Sequence, residues 1–577
     1  MNNTFNRSNY FINKIRNGAL TICGIILLVV DSSAQNLNVI DKDAPLVVSG
    51  SVTTGFSAYA SENRKNRRNP FSYYITAAPT VSFKGISLPF SFTYRDQKGS
   101  LSQPFERIKF NPEYKWFKLG VGNTTLDLNK YVFGGQYFKG VSLELTPGKF
   151  KFKAGYGNLE NPLSQIDNGV LGAEILPVYK RKTAALLVGY GSSTRFVELT
   201  LFRAKDELDP NISGPDLKNQ VIPQENIAGG LKFGLPLSKR ISIKLNGAAS
   251  ALTSDLESVE ILPGDTTGFL LKTFTKMISY NISTKIYYAG DVSINFKMKN
   301  FGTGFEYKLV SPMYKSLGTY YFQEDYENYT LKMNFNALKS KLRFNGKAGL
   351  QRNNLNKLKE STRTRKIINA SLMIAPTKSF STTLRAANFQ SERLPTIERL
   401  NDSLTYTQTS ETYSIVPVLL LKNKNKITTI SVMGSYLKLV DLGLNLAGSV
   451  GVDNYTANVT YALTDKKSGV GLSGSLLFNK NIVGLNQNQR IGANFGYSKS
   501  IKEKKGRLNA NLGFTKNSLN QESDGSSINT GFGFKYKVKK KLSAGINTNF
   551  VFRISETSPY QEYRVSARVS YSFTSKK

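Results

Sequence analysis

The chain of 577 residues has no histidine, a single cysteine and a single tryptophan, and its 40 Asp and Glu are outnumbered by 77 Lys and Arg, a formal charge of +37. The cysteine, Cys23, lies in an N-terminal apolar stretch read below as a removable leader. Without it, and without histidine, disulfides, thiolate or imidazole metal sites and Ser-His or Cys-His catalysis are excluded together. The glycine pairs Gly155/Gly157 and Gly302/Gly304 lack the third glycine and the Lys-Ser/Thr ending of a phosphate-binding loop. Two carboxylate groups, Asp255 with Glu257 and Glu260, and Glu324 with Asp325 and Glu327, lack the spacing of a calcium loop. No catalytic, cofactor or metal residue is therefore assigned, and the chain reads as a non-enzyme.

Long apolar runs are equally scarce, and the one near the N-terminus is short. Residues 1–34 have the pattern of a secretory signal peptide: Arg7, Lys14 and Arg16, an apolar core from Gly18 to Val30, then Ser32 and Ala34 as a small-x-small cleavage site before Gln35. That core is too brief to span a bilayer as a helix. A strongly basic exported chain favours anionic lipid headgroups, lipopolysaccharide phosphates and anionic solutes over nucleic acid.

What the sequence has in quantity is alternation, together with 35 Phe and 30 Tyr. Near the C-terminus, Tyr563, Val565, Ala567, Val569, Tyr571 and Phe573 share one face, opposite Arg564, Ser566, Arg568, Ser570 and Ser572. A period of two over this length is a half-buried strand able to cross a tilted hydrocarbon layer. The unit recurs as hairpins: Phe71 to Phe83 and Ile86 to Tyr94 around Lys84-Gly85, Tyr455 to Leu463 and Val470 to Phe478, Phe532 to Val538 and Leu542 to Phe550. Counting such segments predicts about 26 strands in one transmembrane antiparallel up-and-down β-barrel, an all-β fold. It spans residues 47–573, after a periplasmic lead-in at 35–46 and before a tail at 574–577. One set of connections is short and lysine-rich; the other includes the long stretches Asn158–Arg181, Lys205–Glu225, Thr253–Lys276, Pro312–Asp325 and Ser391–Gln408.

The signal, the repeated hairpins and the aromatic-ended last strand resemble the large outer-membrane β-barrel proteins of Gram-negative bacteria, porin-like or transport barrels. The resemblance implies an outer-membrane location and recognition of the last strand, Tyr563 through Phe573, by the barrel-assembly machinery. Its free edge is expected to pair with Val47–Ala60, because an open edge in lipid is not tolerated. The lead-in is too short for an N-terminal plug domain, so any occlusion is expected from infolded loops, Asn158–Arg181 and Thr253–Lys276 being the longest, or from a separate partner.

The same alternation turns Lys149, Lys151, Lys153, Lys332, Lys341, Arg343, Lys347, Lys535, Lys537, Arg564 and Arg568 toward the interior. A basic lumen of this kind favours anionic solutes. The leading expectation is a pore or transport channel. The alternative is a non-catalytic scaffold of an export or surface-assembly complex, its basic inner turns gripping a periplasmic or surface protein partner.

Overall fold

The computed structural model describes residues 45–96, 107–162, 178–209, 221–261, 277–320, 323–359, 361–395, 406–443, 451–501 and 505–576. The strands are Val47–Glu62 (β1), Phe71–Phe83 (β2), Ile86–Arg95 (β3), Arg107–Phe110 (β4), Glu113–Tyr114 (β5), Phe117–Asn129 (β6), Phe133–Leu145 (β7), Phe150–Glu160 (β8) and Lys180–Gly191 (β9). They continue as Phe196–Glu207 (β10), Glu225–Pro236 (β11), Ile241–Thr253 (β12), Thr284–Lys297 (β13), Phe301–Val310 (β14), Tyr326–Ala337 (β15), Leu342–Asn353 (β16), Ser361–Ile374 (β17) and Phe380–Pro395 (β18). The last are Tyr406–Lys422 (β19), Lys426–Gly443 (β20), Val452–Asp465 (β21), Val470–Val483 (β22), Asn486–Ile501 (β23), Gly506–Leu519 (β24), Glu522–Lys539 (β25), Leu542–Ile554 (β26) and Tyr560–Lys576 (β27). β4 and β5 both pair with β3 and with β6, so they are two pieces of one wall strand. The wall is a 26-strand antiparallel barrel.

Each strand pairs with its sequence neighbour, and β1 with β27 closes the ring from Val47↔Lys576 to Glu62↔Gln561. Antiparallel partners share a face. Tyr563, Val565, Ala567, Val569, Tyr571 and Phe573 therefore stand beside Ala60, Ala58, Phe56, Thr54, Val52 and Gly50. The Phe573 ring needs the glycine opposite, since a Cβ on residue 50 would lie 3.0 Å from the Phe573 Cζ and 2.6 Å from the Ala78 oxygen. The expected seam thus forms, and the strand pairing continues past Phe573 into the stretch read as a tail.

Turn chemistry sets the hairpins. Lys84 and Gly85 both have positive φ, 48° and 82°, as do Asn520 and Gln521 at 50° and 72°, the backbone a two-residue hairpin needs to match strand twist. The long connections all fall at one end, as the sequence indicates. The last third departs from that rule, because β22 joins β23, and β24 joins β25, through two residues at the long-loop end.

Which face is outside is settled by packing. Leu199, Leu201, Tyr288, Leu476, Phe495 and Leu512 are each half exposed or more, on strands whose alternate residues turn inward. In contrast, Leu126, Leu128, Tyr131, Val132, Phe133 and Phe138 are 0–2% exposed. These last belong to the distal part of the β6–β7 hairpin, which leaves the wall and folds inside. β6 follows β4 only as far as Gly122, and β7 follows β8 only as far as Lys139. Beyond that, residues 124–138 pair only with one another, Thr124↔Phe138 through Asn129↔Phe133.

Candidate functional site

The infolded hairpin is apolar on the face it turns to β9, β10 and β11, and that is why it stays inside. Phe133 packs on Phe202 of β10, with ring centroids 5.4 Å apart, and edge-on to Phe138 at 6.0 Å. Ala185 and Leu187 of β9, Ala204 of β10 and Ala228 of β11 join the cluster, which continues through Leu252 of β12, Tyr287 and Ala289 of β13 and Val310 of β14. Burying a large aromatic side chain in this way is worth a few kcal/mol, a sizeable share of what holds a short hairpin in place.

Polar groups then fix its tip to the wall. Asn129 donates to the Asn246 oxygen of β12 at 2.8 Å. The Tyr131 hydroxyl donates to Asp291 of β13 at 2.7 Å, and the Lys130 ammonium lies 2.5 Å from the same carboxylate. Lys153 of β8 donates to the Asp127 carbonyl at 3.2 Å, and Lys232 of β11 donates to the Leu128 carbonyl. The backbone ends of the tip, which no strand satisfies, are thereby hydrogen-bonded.

A second inward segment clamps the first. In the β14–β15 connection, Tyr314 donates to the Tyr131 carbonyl and Ser316 to the Val132 carbonyl, both at 2.8 Å, while the Gly134 amide donates to the Gly318 carbonyl at 3.1 Å. Asn226 of β11 accepts the Leu317 amide at 3.0 Å and donates to Ser250 at 2.7 Å and the Ala251 carbonyl at 2.8 Å. Gly318 has no room for a side chain: a Cβ there would lie 2.4 Å from the Val132 oxygen and 2.9 Å from the Phe133 and Phe202 rings. Burial pushes the Tyr314 phenol above its ordinary pKa, and burial together with the Asp291 carboxylate does the same to Tyr131.

The predicted basic residues fall into two groups. Lys151 pairs with Glu198 at 2.7 Å, Lys153 with Glu144 at 3.0 Å, and Lys332 with Glu306. Their partners lie on wall strands one or two places away. Lys149 and Lys341 sit in the turns before β8 and β16. Arg343 stands beside Asn336, Lys347 beside Lys332, Lys535 beside Arg507 and Lys537 beside Ser543. Arg564 is opposite Tyr59 and Arg568 opposite Gly55 at the seam.

Each of the two carboxylate groups is taken up by its own local partners. Asp255 accepts the Glu257 amide and the Ser258 hydroxyl, Glu327 meets Arg352, and Asp325 meets Lys359 and the amides of Asn354 and Leu355. Of the two loops expected to fold inward, residues 163–177 and 262–276 lie outside the described residues. The hairpin that does fold inward was not among those expectations. Its one local signal is the unbroken Tyr131-Val132-Phe133 run at what should be a polar outer turn.

A closed antiparallel wall with half-exposed aromatic and aliphatic side chains on its outer face leaves no free backbone edge and offers lipid an apolar surface. The chain is a large membrane-spanning β-barrel. No protein-family model matches it, nor does any curated protein. Among solved structures it is similar to the P pilus usher PapC translocation pore, with 11% identity and a TM-score of 0.36 over 91% of this chain and 100% of that one. It is also similar to OpdK with vanillate from Pseudomonas aeruginosa, with 8% identity and a TM-score of 0.28 over 92% and 99%. BauA, the ferric preacinetobactin receptor of Acinetobacter baumannii, shares 9% identity at a TM-score of 0.37 over 91% and 80%. These likenesses are of barrel architecture.

Proposed function

We propose that this barrel is a non-catalytic transport pore whose passage runs along one side of the interior and favours anionic solutes. The observation that carries the reading is the unequal filling of the inside. The hairpin and its clamp pack against β8 to β15, whereas the inner faces of β23 to β27 present exposed Asn494, Asn509, Asn511, Asn547 and Asn549 together with exposed Arg490, Arg564 and Arg568. Fixed positive charge beside a water-filled path raises the local anion concentration. Lys151, Lys153 and Lys332 already face carboxylates, so the selectivity is assigned to Lys347, Lys535, Lys537, Arg564 and Arg568.

Reversal potentials in planar bilayers under a potassium chloride gradient test this. The expected result is discrete channels with anion preference; cation preference, or folded protein that never conducts, would overturn it. Recovery of a stoichiometric periplasmic partner, released when the inner-turn lysines Lys466, Lys467, Lys540 and Lys541 are neutralised, would instead support the scaffold reading.

A further inference from the structure

The seam that closes the barrel builds a second constellation on the inner face, separate from the hairpin. The register of β26, β27, β1, β2 and β3 aligns Gly545, Arg568, Gly55, Tyr74 and Arg95 in one row. The adjoining row is Asn547, Ser566, Ser57 and Ser72, and beyond it Arg564 stands opposite Tyr59. Small residues therefore make a floor. A Cβ on Gly55 would lie 2.6 Å from the Tyr74 ring, so the ring rests directly on bare backbone.

Around this floor is a pocket of about 380 Å³ lined by Arg68 from the β1–β2 connection, Arg95, Arg564 and Arg568, with Asp96 as its one carboxylate. Four guanidinium groups against one acid leave a formal charge of +3. None of the ion pairs among the described residues involves these four arginines. Arg64 and Arg67 on the same connection differ, since Glu562 lies 3.8 and 3.5 Å from them. Arg564 Nε reaches only the Ser57 hydroxyl, at 3.4 Å, and Asp96 accepts the Tyr73 amide at 2.9 Å.

The deciding observation is Tyr59. It is 7% exposed, it lines the pocket, and its buried hydroxyl has no hydrogen-bond partner. A buried donor left unpaired is costly, and a ligand oxygen that reached it from the pocket would remove that cost. Guanidinium groups supply planar, charge-assisted hydrogen bonds to carboxylate and phosphate oxygens, and the serine floor with Asn547 can meet hydroxyl groups.

We propose that this seam pocket is a binding site for the oxyanion of a small hydroxyl-bearing solute, a phosphorylated or carboxylated polyol. The proposal rests on the pore reading for its route of entry and adds a discrete site to it. Calorimetric titration of the detergent-folded full chain with glucose 6-phosphate, gluconate and glucose tests it. Saturable binding of either anionic sugar, with none of glucose, is expected. The double variant Arg95→Gln/Arg568→Gln should weaken it at least about tenfold, and Tyr59→Phe about three- to tenfold, on the scale of one or two charge-assisted hydrogen bonds. Both variants should keep the heat-dependent gel shift of a folded barrel, and Arg240→Gln, in the exposed β11–β12 turn, should bind as the parent does. Binding of neither anionic sugar, equal binding of glucose, or affinities unmoved in the folded variants would overturn the site. An anion-selective channel without saturable binding would remove this pocket alone, and saturable binding in a channel with no anion preference would remove the pore selectivity alone.

Discussion

Replacing Asp291 by Asn should free the infolded hairpin, and the size of the effect follows from two contacts. The Tyr131 hydroxyl donates to the Asp291 carboxylate at 2.7 Å inside the barrel, and Lys130 shares that carboxylate from a half-exposed position. A buried hydrogen bond to a charged acceptor contributes about 1.5–3 kcal/mol, and an exposed ion pair about 0–1. Asparagine keeps an oxygen in place, so a neutral hydrogen bond of about 0.5–1.5 kcal/mol survives. The net loss is about 1–2.5 kcal/mol, which multiplies the released population about 5- to 70-fold. Single-channel recording would show this as more frequent excursions to a larger conductance, and trypsin would cleave after Lys130 faster by a similar factor. Tyr131→Phe should act on the same bond, so the double variant should be little worse than either single one, whereas Lys130→Met, which removes the trypsin site and is read by single-channel recording alone, should change the excursion frequency about fivefold at most. Additive effects of Asp291→Asn and Tyr131→Phe, or wild-type conductance and proteolysis in both, would refute the assignment of the latch to this pair.

The clamp and the hairpin allow three further tests. Gly318→Ala forces a Cβ against the Val132 carbonyl and two rings, with no flexible side chain to yield, and should cost the closed arrangement about 1–3 kcal/mol, read as faster cleavage at Lys130. Cysteines at Asn129 and Asn246, joined by a short bis-thiosulfonate reagent, should abolish the larger conductance and restore it on reduction; unchanged traces after verified cross-linking would count against hairpin movement. Burial, joined at Tyr131 by the Asp291 carboxylate, raises the pKa of Tyr131 and Tyr314 in the closed state, so the closed state keeps its full advantage below the ordinary tyrosine range of about 10 and loses it as pH rises above that range. Excursion frequency should then be flat through neutral pH and climb only in strong alkali.

Strand count, polarity of the turns and the β1–β27 seam were legible because each follows from a period of two that any lipid-facing strand must keep. The fate of Leu126, Leu128 and Phe133 was not legible from that period. Alternating apolar residues look the same whether they meet lipid or an aromatic cluster inside the barrel, and what decides between them is Phe202, Asn226, Asn246 and Asp291, far away in sequence. For the basic residues, alternation gives the face but not the partner: Lys151 finds Glu198, while Arg568 faces only Gly55 and Gly545 across the strands. The seam pocket is half legible, since alternation turns Arg564 and Arg568 inward, yet Arg68 and Arg95 join them only through the register of β1, β2 and β3.

The joining of β1 to β27 also has a consequence for how the molecule is made. Thr53 and Ser570, 517 residues apart, share a hydrogen bond of 2.9 Å, whereas the neighbouring hairpins join residues close in sequence. Each hairpin can form as its residues emerge, but the ring cannot be sealed until the chain is complete, and until then two unpaired edges remain. Completion is therefore one late, all-or-none event. Because the first and last strands meet at this seam, a circularly permuted chain with Lys576 linked to Val47 and new ends at Asn520 and Gln521 would move that final event to β24 and β25 while leaving every pair in the wall unchanged.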